Sequence, residues 1–254
     1  MSGELRLEGP GIGNLVASLA ALTESASPDE FAVIGGLAVL ARLEGAHRVT
    51  DDLDTVATQH GDEPTVVEAV IAAQGVDGLL KGTKVDCVAV GDVPAAELSA
   101  EDLPDVEDDR IFVLAHRWAL DTADELTLVA EADGTIDAQV RCRFAAPASL
   151  VAMKLQSAPR RRAARANKAG GDYLDLFRLA SHPAMTRSIA ISLRAAPHDL
   201  GSWCSLEITR RMIEDADRTV GLIARSGVAE SNVPTAAQLR RAGELLIDWI
   251  HRAP

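Results

Sequence analysis

Three aspartates stand within four positions in the segment VTDDLDTVA, residues 49–57. The segment alternates in the manner of a β-strand, in which every second side chain lies on the same face. We therefore expect Asp52 and Asp54 to share a face and Asp51 to lie on the opposite one. Two carboxylates in this arrangement can bind a hard cation, and Mg²⁺ commonly takes one or two carboxylates together with substrate phosphates. The alternative is an exposed acidic turn without a metal.

Residue types that suit phosphate chemistry occur on both sides of this pair. Asp86 is the single acid in the apolar, strand-like segment TKVDCVAVG. From a neighbouring strand it could bridge two metal ions about 3.5 to 4 Å apart, or accept a proton from an attacking hydroxyl. Gly35 and Gly36 follow the short strand FAVI and open a helix. Phosphates could approach backbone N–H groups there, at the positive end of the helix dipole.

Lys154 lies in the otherwise apolar helical segment SLVAMKLQSA. Its ammonium could neutralise triphosphate charge as a point cation, or it could be a surface lysine whose stem covers apolar surface. Asp172 and Asp175 lie three residues apart and therefore on one helix face. The alternative for this pair is a set of solvated acids that pair with Lys168 and Arg178.

Helix-like and strand-like segments alternate through the first 145 residues. The segment TKVDCVAVG is apolar enough to predict a strand buried on both faces. Residues 92–133 are rich in acids, and we expect mostly a solvated loop with edge elements, including the strand ELTLVAEA. Pro147 suits the start of a helix, and the remainder is helical in period. We therefore predict an α/β (α+β) domain over residues 1–145 and a helical domain over residues 146–254.

Composition and charge exclude several classes of protein. The longest apolar runs are far shorter than the ~20 residues of a membrane span, and the start MSGELRLEGP lacks a signal pattern. We therefore expect a cytoplasmic protein with no membrane contact. The three cysteines are far apart and predict buried thiols rather than disulfides or a zinc site. His47, His60 and His116 lack the spacing of metal ligands, and we expect them in loops or at the surface. The net charge of −13 restricts any nucleic-acid contact to a local surface.

Taken together, the motifs resemble a known fold. The run of Gly-Gly, eleven residues, Arg-Val-Thr-Asp-Asp-Leu-Asp and a later acid in KVDCVAV resembles the nucleotidyltransferase fold of polymerase-beta-like enzymes. The segment SLVAMKLQSAPRRRAARANKAGGDYLDLFRL resembles the Lys, Arg, Lys-Asp-x-x-Asp-Leu arrangement of the AbiEii/MenT-like nucleotidyltransferase toxins. The resemblance covers about residues 30 to 180. Family members often have Lys and Asp adjacent, whereas this chain has KAGGD, which leaves open whether Asp172 or Asp175 takes the functional position.

The resemblance implies a nucleotidyltransferase-fold mixed sheet with flanking helices, and a helical domain that contributes to the active-site cleft. It implies transfer of a nucleoside monophosphate from an NTP to an acceptor hydroxyl, with release of pyrophosphate and with two Mg²⁺ ions. By resemblance the metal ligands are Asp52, Asp54 and Asp86. The further catalytic residues are Lys154, Asp172 and Asp175, and the NTP-binding residues are Gly35, Gly36, Arg48, Thr50 and Lys154. Alternatively, Arg48 only pairs with the carboxylates and Thr50 is an ordinary strand residue.

Members of the toxin family modify tRNA acceptor ends, so the resemblance implies tRNA as the acceptor and a neutralising antitoxin as a partner. The basic segment PRRRAARANK, residues 159–168, is the place where a polyanion would be attracted. It could instead be a solvated helix face that pairs with acids elsewhere. Two other functions stay open. One is an antibiotic nucleotidyltransferase, since an acidic surface suits a cationic aminoglycoside, with lincosamides as the related substrate class. The other is a non-catalytic binding protein on the same fold.

Overall fold

The computed structural model describes residues 4–9, 11–27, 29–43, 52–132, 134–161 and 166–252. The chain forms two compact units. The first comprises Met1–Glu97 and Ala119–Ala146, and the second comprises Leu98–Trp118 and Pro147–Pro254. Arg48, Thr50, Asp51 and His47, for which the sequence suggested positions or roles, lie outside the described residues, as do Arg162 and Arg165 of the basic segment.

The described part of the first unit contains one mixed sheet of seven strands. In chain order these are β1 (Glu4–Glu8), β2 (Phe31–Val33), β3 (Asp52–Thr58), β4 (Leu79–Leu80), β5 (Thr83–Val90), β6 (Asp124–Ala132) and β7 (Thr135–Phe144). Their spatial order is β1-β6-β7-β2-β3-β5-β4. The pairs β1–β6, β2–β7 and β3–β5 are parallel, and the other neighbours are antiparallel. The predicted α/β class with a mixed sheet is confirmed.

Three helices of the first unit pack on or beside this sheet: α1 (Ile12–Ser25), α2 (Gly35–Leu43) and α3 (Val66–Gln74). Helix α1 buries Leu15, Leu19 and Leu22 at helical spacing and contacts β6 and β7, because one apolar stripe must be removed from water. Helix α3 begins at a capping box in which the Thr65 side chain accepts from the Glu68 N–H. Helix α2 lies against β3, so its first turn is placed beside the aspartates of that strand.

Two expectations for this part of the chain are wrong. Strand β5 is not buried on both faces, since only its end residues Thr83 and Val90 are buried. The reason is that one face of the strand is open, since the side chains of Lys84 and Asp86 on that face are about half exposed. Strand β6 is not an edge element, because it pairs with β1 on one side and β7 on the other.

The acid-rich segment from residue 92 contains a long helix, α4 (Glu107–Asp121), where a loop was expected. Its apolar residues Ile111, Leu114 and Trp118 recur at helical spacing and are buried. Three acids of the segment, Glu107, Asp108 and Asp109, stand in its first turn, where negative charge stabilises the N-terminal end of a helix. Residues 92–106 are mostly turns and irregular structure, as expected, and only the part from Glu107 onward contradicts the predicted loop.

Helices make up the rest of the second unit: α5 (Pro147–Ser157), α6 (Ala166–Ser181), α7 (Thr186–Arg194), α8 (Leu200–Ile208), α9 (Ala216–Ala224) and α10 (Ala236–His251). The predicted helix start at Pro147 is confirmed. Helix α5 is central to this unit, since it packs against α6, α7 and α8 and nearly all its residues are buried. A π-helical segment, Thr209–Glu214, continues from α8. In the described part of the chain, no helix has the length and apolar character to cross a membrane.

Candidate active site

The first cluster of candidate residues lies on β3 and β5. These strands are parallel, and their register places Asp54 opposite Asp86 and Asp52 opposite Lys84. Residues that are in register on adjacent strands point to the same face of a sheet. All four charged side chains therefore share one face, which we call the acidic face. Leu53, between the two aspartates of β3, points to the other side and is completely buried.

Lys84 is a charged residue of the acidic face that the motifs did not indicate. Its Nζ forms an ion pair with Oδ2 of Asp86. The hydrogen bond with Asp86 raises the pKa of Lys84, and the negative charges of Asp86, Asp52 and Asp54 act in the same direction. Because both side chains of the pair are about half exposed, the pair contributes only about 0–1 kcal/mol to stability. A lysine two residues before Asp86 on the same strand face was the signal that could have revealed it.

Gly35 begins α2 directly beside Asp54. Its φ is +68°, a left-handed conformation that residues with a side chain rarely adopt. A Cβ atom placed on Gly35 would be 2.7 Å from Cβ and Cγ of Asp54, and closer still to Oδ2. The backbone N of Ile34 also donates to the carbonyl oxygen of Asp54 at 2.9 Å. The first glycine thus allows the helix start and the Asp54 side chain to come together, while Gly36 is buried in the first turn of α2.

The donors of the acidic face fit a divalent cation that also binds phosphate. Asp52 and Asp54 supply two carboxylates on one strand face, which suits the usual Mg²⁺ site of one or two carboxylates plus phosphate and water oxygens. Among the described residues, no group of three or more Asp, Glu, His or Cys side chains encloses a metal position. Asp86 is held by Lys84 instead. The fit is therefore to a two-carboxylate site, which Asp86 could join by exchanging Lys84 for a metal ion.

The second cluster lies in the second unit, where α5 packs on α6. Nζ of Lys154 is 2.7 Å from Oδ1 of Asp172 and 2.8 Å from Oδ2 of Asp175. Asp172 Oδ2 also accepts from Nε of Arg161 at 3.0 Å and from the hydroxyl of Ser157 at 3.2 Å. We call these three residues, Lys154, Asp172 and Asp175, the Lys154 cluster. Each of them is at most 6% exposed.

This burial decides between the alternatives for the Lys154 cluster. Lys154 is not a surface lysine, and Asp172 is not a solvated acid paired with a neighbour on its own helix. Burial alone would raise the pKa of Asp172, but the charges of Lys154 and Arg161 outweigh that effect and lower it. A buried ion cluster of this kind is costly to assemble and, once assembled, is held in one geometry. Asp172 and Asp175 both contact the ammonium, so the geometry does not separate their roles.

Two arginines of the basic segment form ion pairs with aspartates of the second unit. Arg160 pairs with Asp108 at 2.6 Å, and Arg161 pairs with Asp172. Lys168, in the first turn of α6, is exposed. Arg160 and Arg161 therefore have carboxylate partners within the second unit, while Arg160 and Lys168 are both exposed.

One histidine was expected in the wrong place. His60 is exposed as predicted, but His116 is only 7% exposed, inside α4. Its Nδ1 lies 2.8 Å from the carbonyl oxygen of Phe112, and the two rings are 4.1 Å apart between centroids. Burial lowers the pKa of His116 to about 4, so the ring is neutral at pH 7. It is a core residue of the second unit.

The family model described as "Nucleotidyl transferase AbiEii toxin, Type IV TA system" matches residues 17–220. The chain belongs to the AbiEii family. The match contains both the acidic face and the Lys154 cluster, and it confirms the resemblance that the motifs indicated. AbiEii proteins are nucleotidyltransferase toxins of toxin–antitoxin systems, so the family implies a cognate antitoxin as a partner. No curated protein and no solved structure matches the chain significantly. Helix α10 lies beyond the matched region of the AbiEii model.

Proposed function

We propose that this AbiEii protein transfers a nucleoside monophosphate from an NTP to the 3′ acceptor end of a tRNA, with magnesium bound at the acidic face. The observation that carries the proposal is the register of β3 and β5. It brings Asp86 next to Asp54, and the antiparallel pairing of β2 with β3 places the start of α2, at Gly35, against the same aspartate. Carboxylates beside a helix N-terminus are a combination that suits a metal–triphosphate complex.

In the proposed reaction an acceptor hydroxyl oxygen forms a bond to the α-phosphorus of the NTP, and the bond from that phosphorus to the pyrophosphate oxygen breaks. Magnesium would neutralise triphosphate charge and stabilise the negative charge on the leaving pyrophosphate. Asp52 and Asp54 would hold it. Asp86 would orient the hydroxyl or accept its proton, and the first N–H groups of α2 would bind phosphate oxygens.

Lys154 would be the residue that neutralises triphosphate charge. Its contacts with Asp172 and Asp175 suit that role, because two carboxylates hold the ammonium in position. We assign Asp172 and Asp175 the same part, as positioning residues for Lys154. Arg48 and Thr50 remain proposed NTP-binding residues.

The choice of RNA as the acceptor is supported by the distribution of charge along the chain. The first unit contains 7 Lys and Arg against 22 Asp and Glu, whereas the second contains 18 against 16. The two units therefore carry formal charges of −15 and +2, which together make the net −13. A polyanion would be repelled by the first unit, so the second unit, which contains the basic segment of residues 159–168, is where it would be accepted.

The direct test is to incubate the purified protein with Mg²⁺, total tRNA and each NTP in turn, labelled at the α-phosphate. We expect label in tRNA with at least one NTP. Asp52→Ala should reduce transfer by at least about 10²-fold, since it removes a metal ligand. Asp62→Ala is the matched control, because Asp62 is an exposed acid in the turn that follows β3, and it should retain the wild-type rate.

Absence of transfer from every NTP would contradict the proposal. A second incubation, with an aminoglycoside or lincosamide in place of tRNA, tests the main alternative. Labelling of the antibiotic and not of tRNA would identify an antibiotic nucleotidyltransferase. Equal transfer by Asp52→Ala and the wild-type protein would remove the acidic face from the mechanism.

A further inference from the structure

A tryptophan ring with two arginine guanidinium groups close to it lies on the second unit, among residues that the proposed chemistry does not use. Trp249 is near the end of α10, and its ring centroid is 4.6 Å from Cζ of Arg252 and 4.9 Å from Cζ of Arg187. A third guanidinium is close by, because Nη1 of Arg194 donates to the carbonyl oxygen of Arg252 at 2.6 Å. Together with Ile191, these residues form what we call the Trp249 patch.

Helix α7 supplies the second side of the Trp249 patch. Arg187, Ile191 and Arg194 are spaced by four and three residues, which places them on one face of the helix. All three are exposed, and Ile191 is 42% exposed. The opposite face of α7 buries Ile189 and Leu193, and α7 packs against α10. The patch is thus an outward-facing surface on a well-packed pair of helices.

The charge of the Trp249 patch is not balanced within it. Arg252 has a carboxylate at 3.6 Å, from Asp248. Arg187 and Arg194 have no carboxylate partner in the part of the chain that the structure describes, and α7 itself contains no acid. Three guanidinium groups against one carboxylate make a local positive surface in a protein of net charge −13. An anionic ligand is therefore the occupant that this surface favours.

We propose that the Trp249 patch binds RNA, with phosphates on Arg187 and Arg194 and a base stacked on the flat surface formed by Trp249 and its arginines. Aromatic rings flanked by arginines recognise bases without regard to sequence, and a guanidinium can both stack and contact phosphate. A lipid headgroup or an acidic protein segment would bind to the arginines but has no base to stack on the Trp249 surface.

Helix α7, which carries Arg187 of the Trp249 patch, begins close to the end of α6, the helix that carries Asp172 and Asp175. From Asp175 to the end of α6 at Ser181 is six residues, about 9 Å of helix. Helix α7 begins five residues later, and the hydroxyl of Thr186 donates to the carbonyl oxygen of Ala180 at 2.9 Å. The inference rests on the proposed function only in its choice of RNA as the polyanion.

The test measures binding of fluorescently labelled total tRNA to the full chain by anisotropy, in EDTA so that no transfer occurs, over a series of salt concentrations. Trp249→Ala should weaken binding by about five- to a hundredfold, as loss of one stacked base does. Trp249→Phe should stay within about threefold, because it keeps an aromatic face. Arg187→Gln with Arg194→Gln should lower the slope of log affinity against log salt by about 1.5.

The matched control is Arg225→Gln. Arg225 is likewise an exposed arginine without a carboxylate partner among the described residues, but it follows α9. Its removal should change the affinity for tRNA by less than about twofold, since no stacked base or patch phosphate depends on it. Thermal unfolding monitored by circular dichroism establishes that each variant is folded before its affinity is compared.

Equal affinity of Trp249→Ala and the wild-type protein for tRNA would overturn the inference, as would an absence of tRNA binding. Binding of phosphatidylserine vesicles that the same variants lose, with tRNA affinity unchanged, would assign the patch to an anionic lipid surface. Loss of tRNA binding in the patch variants, from a wild-type protein that transfers no nucleotide, would support the inference and contradict the proposed function. Normal nucleotide transfer to tRNA, with tRNA affinity unchanged in the patch variants, would support the proposed function and contradict the inference.

Discussion

Replacement of Gly35 by Ala tests whether the close approach of α2 to Asp54 matters for the reaction. Two effects of different size are expected. The φ of +68° places an alanine in the left-handed region, which costs about 1–2 kcal/mol. In addition, the new Cβ would lie 2.7 Å from Cβ and Cγ of Asp54. The Asp54 side chain or the helix start must then move by roughly 1 Å to restore van der Waals contact, and a misplacement of that size costs about 10²-fold in rate.

Gly61→Ala separates the two effects. Gly61 also has a positive φ, of +58°, but a Cβ there would meet no atom within 4 Å. Both variants should lose about 1–2 kcal/mol of unfolding free energy from backbone strain, measured by urea denaturation. Only Gly35→Ala should also lose about 10²-fold in nucleotidyl transfer. Full transfer by Gly35→Ala, together with a loss of stability no greater than that of Gly61→Ala, would refute the idea that Gly35 positions Asp54.

Four further perturbations follow from ionisable residues of the two units. Lys154→Met should destabilise the protein to urea by about 3–5 kcal/mol, because it leaves buried carboxylates without their cation; a loss below 1 kcal/mol would contradict this. Asp172, whose pKa is lowered, stabilises the fold above its ordinary pKa of 3.8 and loses that effect as pH falls below it. Asp172→Asn should therefore make the free energy of unfolding fall less steeply in the acid range. His116 has a pKa of about 4 instead of 6.5, so the unfolded chain binds a proton that the folded chain does not. The free energy of unfolding should fall by about 3 kcal/mol as the pH is lowered through this range, and His116→Leu but not His60→Leu should abolish the fall. Lys84→Met should tighten Mn²⁺ binding about thirtyfold in calorimetry without NTP, since a unit charge about 4 Å from a divalent ion is worth about 2 kcal/mol in water.

The sequence predicted the first cluster better than the second. Strand periodicity was enough to place Asp52 and Asp54 on one face, because the face of a strand is a local property. For Lys154 the sequence left a choice between a cation that neutralises triphosphate charge and a surface lysine, and it did not indicate burial. That choice depends on which helix covers it, and α6 supplies both the cover and the two carboxylates.

The wrong expectations rest on composition, which does not show what packs against a segment. The segment with α4 appeared unstructured because it is rich in acids, although three of them stand at the start of a helix. Strand β5 appeared buried because its composition is apolar, whereas the face with Lys84 and Asp86 is open. His116 appeared exposed because a single histidine does not indicate the packing that buries it.

The sequence by itself determined the residue types of the candidate site and the alternation of strands and helices, because these depend on spacing within short segments. The motifs also indicated that the chain belongs to the AbiEii family. The tertiary structure decided the rest. Register between β3 and β5 placed Lys84 and Asp86 beside the aspartates, and helix packing enclosed the Lys154 cluster and brought Arg187 and Arg252 onto Trp249. Such pairings join residues up to 62 positions apart, and no local pattern encodes them, since their energy appears only when the elements pack.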